Sequence, residues 1–177
     1  MRGVRAPGYT IWLTGLSGAG KTTTALAVRD ELLGAGQSCV VIDGDDLRQG
    51  LSSDLGFGAL DRDENVRRAG ELALLVGRQG LVAIVAMISP RSAARRTVRE
   101  RHNAAEQRFV EVYLDTPLSV CERRDPKSLY RRARAGEELH LTGVNDPYEA
   151  PERAELVLST EEHRPDAIAR LILATLR

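Results

Sequence analysis

The chain contains five short apolar runs that are separated by longer stretches of mixed apolar and polar residues. The runs are continuous rather than alternating, as in 38–43, and this pattern favours strands that are buried on both faces. We predict strands at about 10–14, 38–43, 82–88, 109–115 and 156–160. We predict helices near 21–34, 61–79, 91–104, 117–124, 126–135 and 163–176. This alternation is typical of an α/β fold with a five-stranded parallel sheet and helices on both faces.

Glycine, proline and loop composition set the boundaries of these elements. Gly34 and Gly36 should end the first helix, and Gly80 should end the second. We treat residues 1–177 as one domain, expect 1–8 to be frayed, and interpret 126–155 as a lid and long functional loop.

A phosphate-binding loop lies between the first predicted strand and the first predicted helix. Residues 15–22 match the pattern G-x-x-x-x-G-K-[ST] in full. The glycines let backbone N–H groups turn towards phosphate oxygens, Lys21 can reach the β- and γ-phosphates, and Thr22 can ligate Mg²⁺. The pattern is typical of P-loop NTPases, so we predict an ATP site formed by Gly15, Leu16, Ser17, Gly18, Ala19, Gly20, Lys21, Thr22, Thr23 and Arg124.

Composition narrows the range of partners. Acidic and basic residues balance at 25 each, which gives no overall charge that would favour nucleic acid or a membrane surface. No apolar stretch approaches 18 residues and no signal-peptide pattern is present, so we expect a cytoplasmic protein. Cys39 and Cys121 lack metal-ligand spacing, and buried reduced thiols are the favoured interpretation for both.

Three acidic residues, Asp43, Asp45 and Asp46, follow the second predicted strand. Such crowding is costly unless a cation or a reacting proton is shared. We predict that Asp43, with Thr22, helps to hold Mg²⁺, and that Asp45 accepts a hydrogen bond from an attacking hydroxyl. Asp46 is interpreted as a cap of the next helix, and capping is also the alternative for Asp45.

The helix expected at 61–79 begins with Asp61 and Glu64, which could form a capping box. At 100° per residue its apolar stripe consists of Val66, Ala69, Leu72, Ala73 and Val76. Arg62 and Asn65 fall within that stripe, where a buried guanidinium or amide requires a partner. A substrate anion would supply one, and a structural ion pair is the alternative.

Two further segments suit a nucleotide substrate. Phe57 stands between glycines, which favours a projecting ring that stacks on a base over a core position. The segment 123–134 carries many arginines and Lys127, and it is interpreted as a basic lid that closes over phosphates. A solvated basic helix is the alternative for any single one of these arginines.

Taken together, these motifs resemble the adenylylsulfate kinases over residues 8–160. The resemblance rests on the phosphate loop and on the segments 43–48, 54–57, 61–65, 88–90, 124–127, 142–143 and 147–149. It implies an enzyme that uses ATP with Mg²⁺ to phosphorylate the ribose 3′-hydroxyl of adenosine 5′-phosphosulfate (APS), in the context of sulfate assimilation. It leaves a homodimer open.

The resemblance also implies a substrate site. Carried over by motif, that site comprises Arg48, Phe57, Arg62, Asn65, Ile88, Ser89, Lys127 and Leu141. The resemblance places Asp45 near the 3′-hydroxyl, with Lys21 and Ser89 as the other catalytic candidates. A phosphoserine intermediate at Ser89 is sometimes assigned in the family, but direct in-line transfer is favoured here because the loop, the metal and Asp45 suffice.

Three positions depart from the family pattern. Arg91 replaces a usual tyrosine, Ser128 a usual glycine, and Leu141 an expected phenylalanine. Losing one aromatic stack would cost about 0.5–1.5 kcal/mol, so we expect the departures to change affinity, or the preferred 5′-substituent, more than the chemistry.

Two other functions remain open at this point. One is a phosphotransferase for another 5′-substituted adenosine or a small hydroxyl compound. The other is a nucleotide switch without phosphoryl transfer, although the guanine-reading Asn-Lys-x-Asp motif is absent from the sequence.

Overall fold

A computed structural model describes residues 8–137 and 139–176. These residues contain one five-stranded sheet with the strand order β2-β3-β1-β4-β5, in which every neighbouring pair is parallel. The strands are β1 (Thr10–Thr14), β2 (Cys39–Asp43), β3 (Val82–Ala86), β4 (Phe109–Leu114) and β5 (Leu156–Leu158). The predicted fold class is therefore confirmed.

The described ranges contain seven helices, of which six connect consecutive strands and the last follows β5. They are α1 (Lys21–Gly34), α2 (Gly44–Gln49), α3 (Ala59–Arg78), α4 (Ser92–Ala104), α5 (Leu118–Arg124), α6 (Leu129–Arg134) and α7 (Pro165–Ala174). None of them is long and apolar enough to cross a membrane.

The central strand β1 separates two apolar cores because side chains alternate across a sheet. Ile11 and Leu13 belong to a core that also contains residues of α1 and α7. Trp12 lies on the opposite face, in a core that contains residues of α3 and α4. All five residues of β1 are buried, which agrees with a strand that is covered on both faces.

Several element boundaries differ from the prediction. Helix α2 was not predicted, and its N-cap is Asp43, whose side chain accepts from the Asp45 amide, so capping by Asp46 is wrong. Helix α3 starts at Ala59 after Gly58, without a side-chain cap, so the capping box of Asp61 and Glu64 is also wrong. Glu64 instead pairs with two arginines in the next turn of α3, Arg67 and Arg68. Strands β3 and β5 and helices α6 and α7 are shorter than the segments predicted for them, which were 82–88, 156–160, 126–135 and 163–176.

The terminal and loop expectations have mixed outcomes. Residues 1–7 lie outside the described part of the chain, whereas Gly8 is buried against backbone atoms of Gly77 and Leu81, so the fraying predicted for it is wrong. Residue 138, within the predicted lid and long loop, also lies outside the described part of the chain. The described residues between α6 and β5 form only an isolated bridge, Thr142 to Asp146.

The two cysteines are both free thiols but differ in burial. Cys121 on α5 is buried, as predicted. Cys39 is only partly buried because β2 forms an edge of the sheet, so the predicted burial is wrong for that residue.

Candidate active site

The phosphate loop leaves the carboxyl end of β1 and leads directly into α1. Gly15, Gly18 and Gly20 all adopt positive φ, at 147°, 76° and 90°. A Cβ atom at Gly18 would lie 2.9 Å from the Cys121 carbonyl oxygen. The loop backbone is therefore packed closely onto α5, and a side chain at Gly18 would push the two apart.

Lys21 is the first residue of α1 and its ammonium group folds back over the loop. Nζ donates to the carbonyl oxygens of Gly15, at 3.0 Å, and Leu16, at 2.7 Å. Burial, together with the positive charge of Lys127, lowers the pKa of Lys21 to about 8. A cation that is deprived of water in this way would gain strongly from a nearby anion such as a phosphate.

Asp43 joins the loop to the end of β2. Its Oδ2 accepts a hydrogen bond from the Thr22 hydroxyl at 2.7 Å, and its Oδ1 accepts from the Asp45 amide at 2.9 Å. The hydroxyl and the carboxylate therefore lie side by side, as predicted for a shared metal site. Both are hard oxygen donors, which Mg²⁺ prefers.

Asp45 is exposed in the first turn of α2 and contacts the segment between α5 and α6. Its carboxylate forms an ion pair with Lys127, which lies between α5 and α6. The ion pair therefore links α2, which directly follows β2, to the segment between α5 and α6. Arg124, at the end of α5, lies against the phosphate loop, where it donates to the Gly18 carbonyl oxygen at 3.3 Å.

Arg48, one turn after Asp45 on α2, and Phe57 form one unit. The phenyl ring is 60% exposed, so it is not a core residue. The Arg48 guanidinium carbon lies 4.4 Å from the ring centroid, and Nη1 of Arg48 donates to the Gly56 carbonyl oxygen at 2.7 Å. The cation–π contact orients an exposed flat surface, and its stacking on a base stays a prediction.

Arg62 is mostly buried at the start of α3, and several groups of this chain accept its hydrogen bonds. Nε donates to the Phe57 carbonyl oxygen at 2.8 Å, Nη1 donates to the Thr142 hydroxyl at 2.8 Å, and Nη2 donates to the His140 carbonyl oxygen. Asp146 completes the set, with an oxygen 3.6 Å from Nη2. The structural alternative for Arg62 therefore has direct support, although the residue also borders the cleft.

Asn65 lies one turn further along α3 and, unlike Arg62, has a side-chain group without a hydrogen-bond partner among the described residues. It is only 3% exposed, and its Oδ1 has no hydrogen-bond partner within the described residues. A buried amide oxygen without a partner is costly. Because Asn65 borders the cleft, a ligand donor could satisfy this oxygen.

Ser89 is 2% exposed and has a positive φ of 39°. Its hydroxyl accepts from the Trp12 indole at 3.1 Å and donates to the Thr14 hydroxyl at 2.9 Å. Both hydrogen-bonding roles of the hydroxyl are thus used inside the protein. Ile88, beside it, accepts from the Thr14 hydroxyl through its carbonyl oxygen at 2.7 Å.

A single cleft of about 940 Å³ collects most of the predicted site. The predicted residues that line it are Ser17, Gly18, Gly20, Lys21, Thr22, Thr23, Asp43, Asp45, Arg48, Phe57, Arg62, Asn65, Ile88, Ser89, Arg124, Lys127 and Leu141. Gly15, Leu16 and Ala19 are predicted ATP residues that do not line it. Ala19 and Leu16 instead pack in or against the apolar core, so only their backbone could serve the nucleotide.

The sequence model of the family described as Adenylylsulphate kinase matches residues 7–159. The chain belongs to the adenylylsulphate kinase family. The resemblance inferred from the motifs is thereby confirmed.

Individual relatives agree with this family. The chain is 50% identical over 165 residues to the adenylyl-sulfate kinase of Escherichia coli, a match that covers 93% of this chain and 81% of that protein. The APS kinase CysC of Mycobacterium tuberculosis, solved in complex with AMPPNP and APS, is 45% identical with a TM-score of 0.93, covering 96% of this chain and 98% of that one. A sugar kinase from Janibacter sp., at 19% identity and a TM-score of 0.65 over 96% of this chain and 95% of that one, shares the fold alone.

The three departures of this adenylylsulphate kinase lie in different settings. Arg91 pairs with Asp63 at 2.6 Å. Ser128 has a φ of 55°, the left-handed conformation that glycine adopts more easily, directly before α6. Leu141 is buried and borders the cleft, so it is the departure placed to affect a bound ligand.

Thr160 contacts the phosphate loop and was missed by the sequence analysis. Its hydroxyl donates to the Ala19 carbonyl oxygen at 3.0 Å and accepts from Arg124 at 2.6 Å. The signal was available, because Thr160 ends the fifth predicted strand and ligands bind at the carboxyl ends of parallel strands.

Proposed function

We propose that this adenylylsulphate kinase transfers the γ-phosphoryl group of ATP to the ribose 3′-hydroxyl of APS. The observation that carries the proposal is the single cleft, which joins the phosphate loop to Asp45 and to the Arg48–Phe57 unit. The similar structure from Mycobacterium tuberculosis holds an ATP analogue together with APS. One cleft that serves both substrates is what direct transfer between them requires.

The nucleotide binds through the loop and its neighbours. Backbone N–H groups of residues 15–20 and the N-terminus of α1 meet the phosphates. Lys21 leaves its loop carbonyl partners and binds the β- and γ-phosphates, and the adjacent anion raises its pKa again and so stabilises the charged ammonium group. Arg124 and Thr160 hold the loop from the other side.

Thr22 and Asp43 are the residues that would hold Mg²⁺ together with the nucleotide. Within the described residues no group of three His, Cys, Asp or Glu side chains could form a metal cage. A hydroxyl and a carboxylate side by side fit a metal whose remaining ligands are phosphate oxygens and water. When bound there, the ion would supply positive charge against the negative charge that develops on the phosphates.

Asp45 acts as the general base. Lys127 first moves from Asp45 towards the phosphates, which frees the carboxylate for the acceptor hydroxyl. The 3′-oxygen then forms its bond to the γ-phosphorus while the bond to the β,γ-bridging oxygen breaks. The hydroxyl proton passes to Asp45, and ADP leaves.

The hydrogen bonds of Ser89 favour direct transfer from ATP to the acceptor over a route through a phosphoserine intermediate at Ser89. A nucleophilic serine needs a base that takes its proton. The Ser89 hydroxyl donates to another hydroxyl, that of Thr14, and accepts from the Trp12 indole. We therefore assign Ser89 to the wall of the acceptor site.

The acceptor is held by the other side of the cleft. Phe57 and Leu141 border the adenine, and Asn65 supplies its amide oxygen, which has no partner among the described residues, to a donor group of the ligand. Arg48 and Arg62 provide positive charge for the phosphosulfate, with Ile88 beside them. We place the reaction in the cytoplasm, where ATP is abundant and free thiols such as Cys121 stay reduced.

ATP consumption with and without APS distinguishes this function from a phosphotransferase with another acceptor and from a nucleotide switch. We expect ATP consumption to be slow with ATP alone and to rise strongly when APS is added. Asp45→Asn should reduce APS-dependent turnover by about 10²–10⁴-fold, while the matched control Asp46→Asn in the same turn should keep it. If adenosine 5′-monophosphate supports turnover as well as APS does, the assigned acceptor is wrong.

A further inference from the structure

The segment Pro147-Tyr148-Glu149 and the buried Arg95 have no role in the reaction described above, yet both contact the acceptor side of the cleft. We define the acceptor wall as Ile88, Ser89 and Pro90, which all line the cleft. We propose that Arg95 is a positioning residue that fixes this wall, with Tyr148 as its second support. This inference rests on the proposed function, because it concerns the binding of the acceptor.

The wall needs support because its backbone is strained. Ser89 has a φ of 39°, in the left-handed region that residues with a Cβ rarely adopt. Such a conformation costs on its own and persists only where the surroundings hold it. The groups that hold Ser89 therefore set the shape of the acceptor side.

Arg95 holds the wall from behind. Its side chain is 3% exposed, and Nε lies 2.9 Å from a Glu111 carboxylate oxygen on β4. Nη1 donates to the Ser89 carbonyl oxygen at 2.6 Å, and Nη2 donates to the Glu149 carbonyl oxygen at 2.6 Å. The planar guanidinium thus ties the wall to the central sheet and to the 147–149 segment at once.

Tyr148 holds the wall through a chain of hydroxyl groups. The Thr14 hydroxyl donates its only proton to the Ile88 carbonyl oxygen and accepts a hydrogen bond from the Ser89 hydroxyl. The Tyr148 hydroxyl lies 2.8 Å from the Thr14 hydroxyl and must therefore be the donor in that contact. Burial raises the pKa of Tyr148 to about 12, which keeps this donor protonated.

The 147–149 segment is also fixed to the wall and to α4. The Glu149 amide donates to the Pro90 carbonyl oxygen at 2.9 Å. The Glu149 carboxylate accepts from the amide and the hydroxyl of Ser92 at the start of α4, both at 2.7 Å. The wall is therefore held by direct contacts on both Ser89 and Pro90.

The decisive comparison uses Arg95→Met and Arg99→Met in the full chain. Arg99 lies one turn later on α4 and pairs with Glu111 and Glu155, and among the described residues it makes no hydrogen bond or ion pair with the wall. Both variants lose an ion pair to the same Glu111 carboxylate. Only Arg95→Met should loosen the wall, and misplacing a binding group costs affinity steeply.

We expect Arg95→Met to raise KM for APS about tenfold or more while KM for ATP stays within about twofold. Arg99→Met should keep both constants within about twofold. Amide hydrogen exchange of the peptide 87–92 should accelerate in Arg95→Met and not in Arg99→Met. Equal changes in both KM values, or unchanged exchange of that peptide, would overturn the proposal.

A second variant covers the case in which Arg95→Met does not fold. Tyr148→Phe removes only the hydroxyl that donates to Thr14 and keeps the ring, which packs on Tyr113 at a centroid distance of 5.7 Å. We expect KM for APS alone to rise about two- to fivefold, and an unchanged value would overturn the proposal. If the unmodified protein does not use APS, the proposed function fails, while the exchange of peptide 87–92 still decides the role of Arg95.

Discussion

Asp43 combines two roles that substitution can separate. Its carboxylate caps α2 through the Asp45 amide, and it accepts from the Thr22 hydroxyl where we place the metal. Asparagine is as good an N-cap as aspartate, and the Thr22 hydroxyl can rotate to accept from an amide. Asp43→Asn therefore removes the charge and keeps the cap, whereas Asp43→Ala removes both.

The structure sets the expected size of each effect. Losing the cap in Asp43→Ala costs about 1 kcal/mol of unfolding free energy, which lowers Tm by about 2–4 °C in a chain of this size. Asp43→Asn should lie within about 1 °C of the unmodified protein. Losing the charge should reduce turnover in both variants by about 10²–10³-fold, corresponding to roughly 3–4 kcal/mol at the transition state.

Thermal unfolding and steady-state turnover at several Mg²⁺ concentrations measure the two effects separately. Asp46→Asn is the matched control, since Asp46 is an exposed acid in the same first turn of α2. Raising Mg²⁺ should restore part of the Asp43→Asn activity and leave the control unchanged. The reasoning is refuted if Asp43→Asn keeps more than about a tenth of normal turnover, or if it unfolds at the same temperature as Asp43→Ala.

Three further predictions concern charge at other positions. Lys21→Ala should keep the fold and lower turnover by about 10²–10³-fold, so a folded variant with near-normal activity would contradict the role of the loop lysine. Arg62→Lys keeps the charge but loses the planar fork, and should raise KM for APS with KM for ATP nearly unchanged. A lower Tm with equal changes in both constants would show that Arg62 is purely structural. Burial lowers the pKa of His102 below its usual 6.5, so the folded state binds its proton at a lower pH than the unfolded chain does. The unfolding free energy should therefore fall as pH drops below about 6.5, by up to about 1.4 kcal/mol per pH unit. His102→Gln should flatten that part of the profile, and an unchanged slope between pH 7.5 and 5.5 would contradict this.

The sheet and the phosphate loop could be predicted because their signals are local. Each strand is a short buried apolar run, and β1, β2 and β4 lie within one residue of their predicted bounds. The phosphate-loop motif also predicts the elements around it, because it normally lies between a strand and a helix. Helix α2 was missed because six residues that start with glycine carry too little apolar pattern to predict a helix.

The partners of the site residues could not be read from periodicity. Arg62 was correctly expected to need a partner, but the hydroxyl of Thr142 lies 80 residues away in the chain. Ser89 was named by resemblance, whereas its contacts with Trp12 and Thr14 depend on the strand order of the sheet. Burial and hydrogen-bond satisfaction of such groups are settled by tertiary packing, which no single segment determines.

The position of the new phosphate in the product tests the central claim most directly. Purified protein would be incubated with ATP, Mg²⁺ and APS, and the nucleotide product examined by phosphorus NMR with coupling to the ribose protons. We predict ADP and an adenosine nucleotide that carries its new phosphate on the 3′-oxygen and keeps the 5′-phosphosulfate, formed in equal amounts. A new phosphate at another position, or ADP formation without a phosphorylated acceptor, would contradict the account.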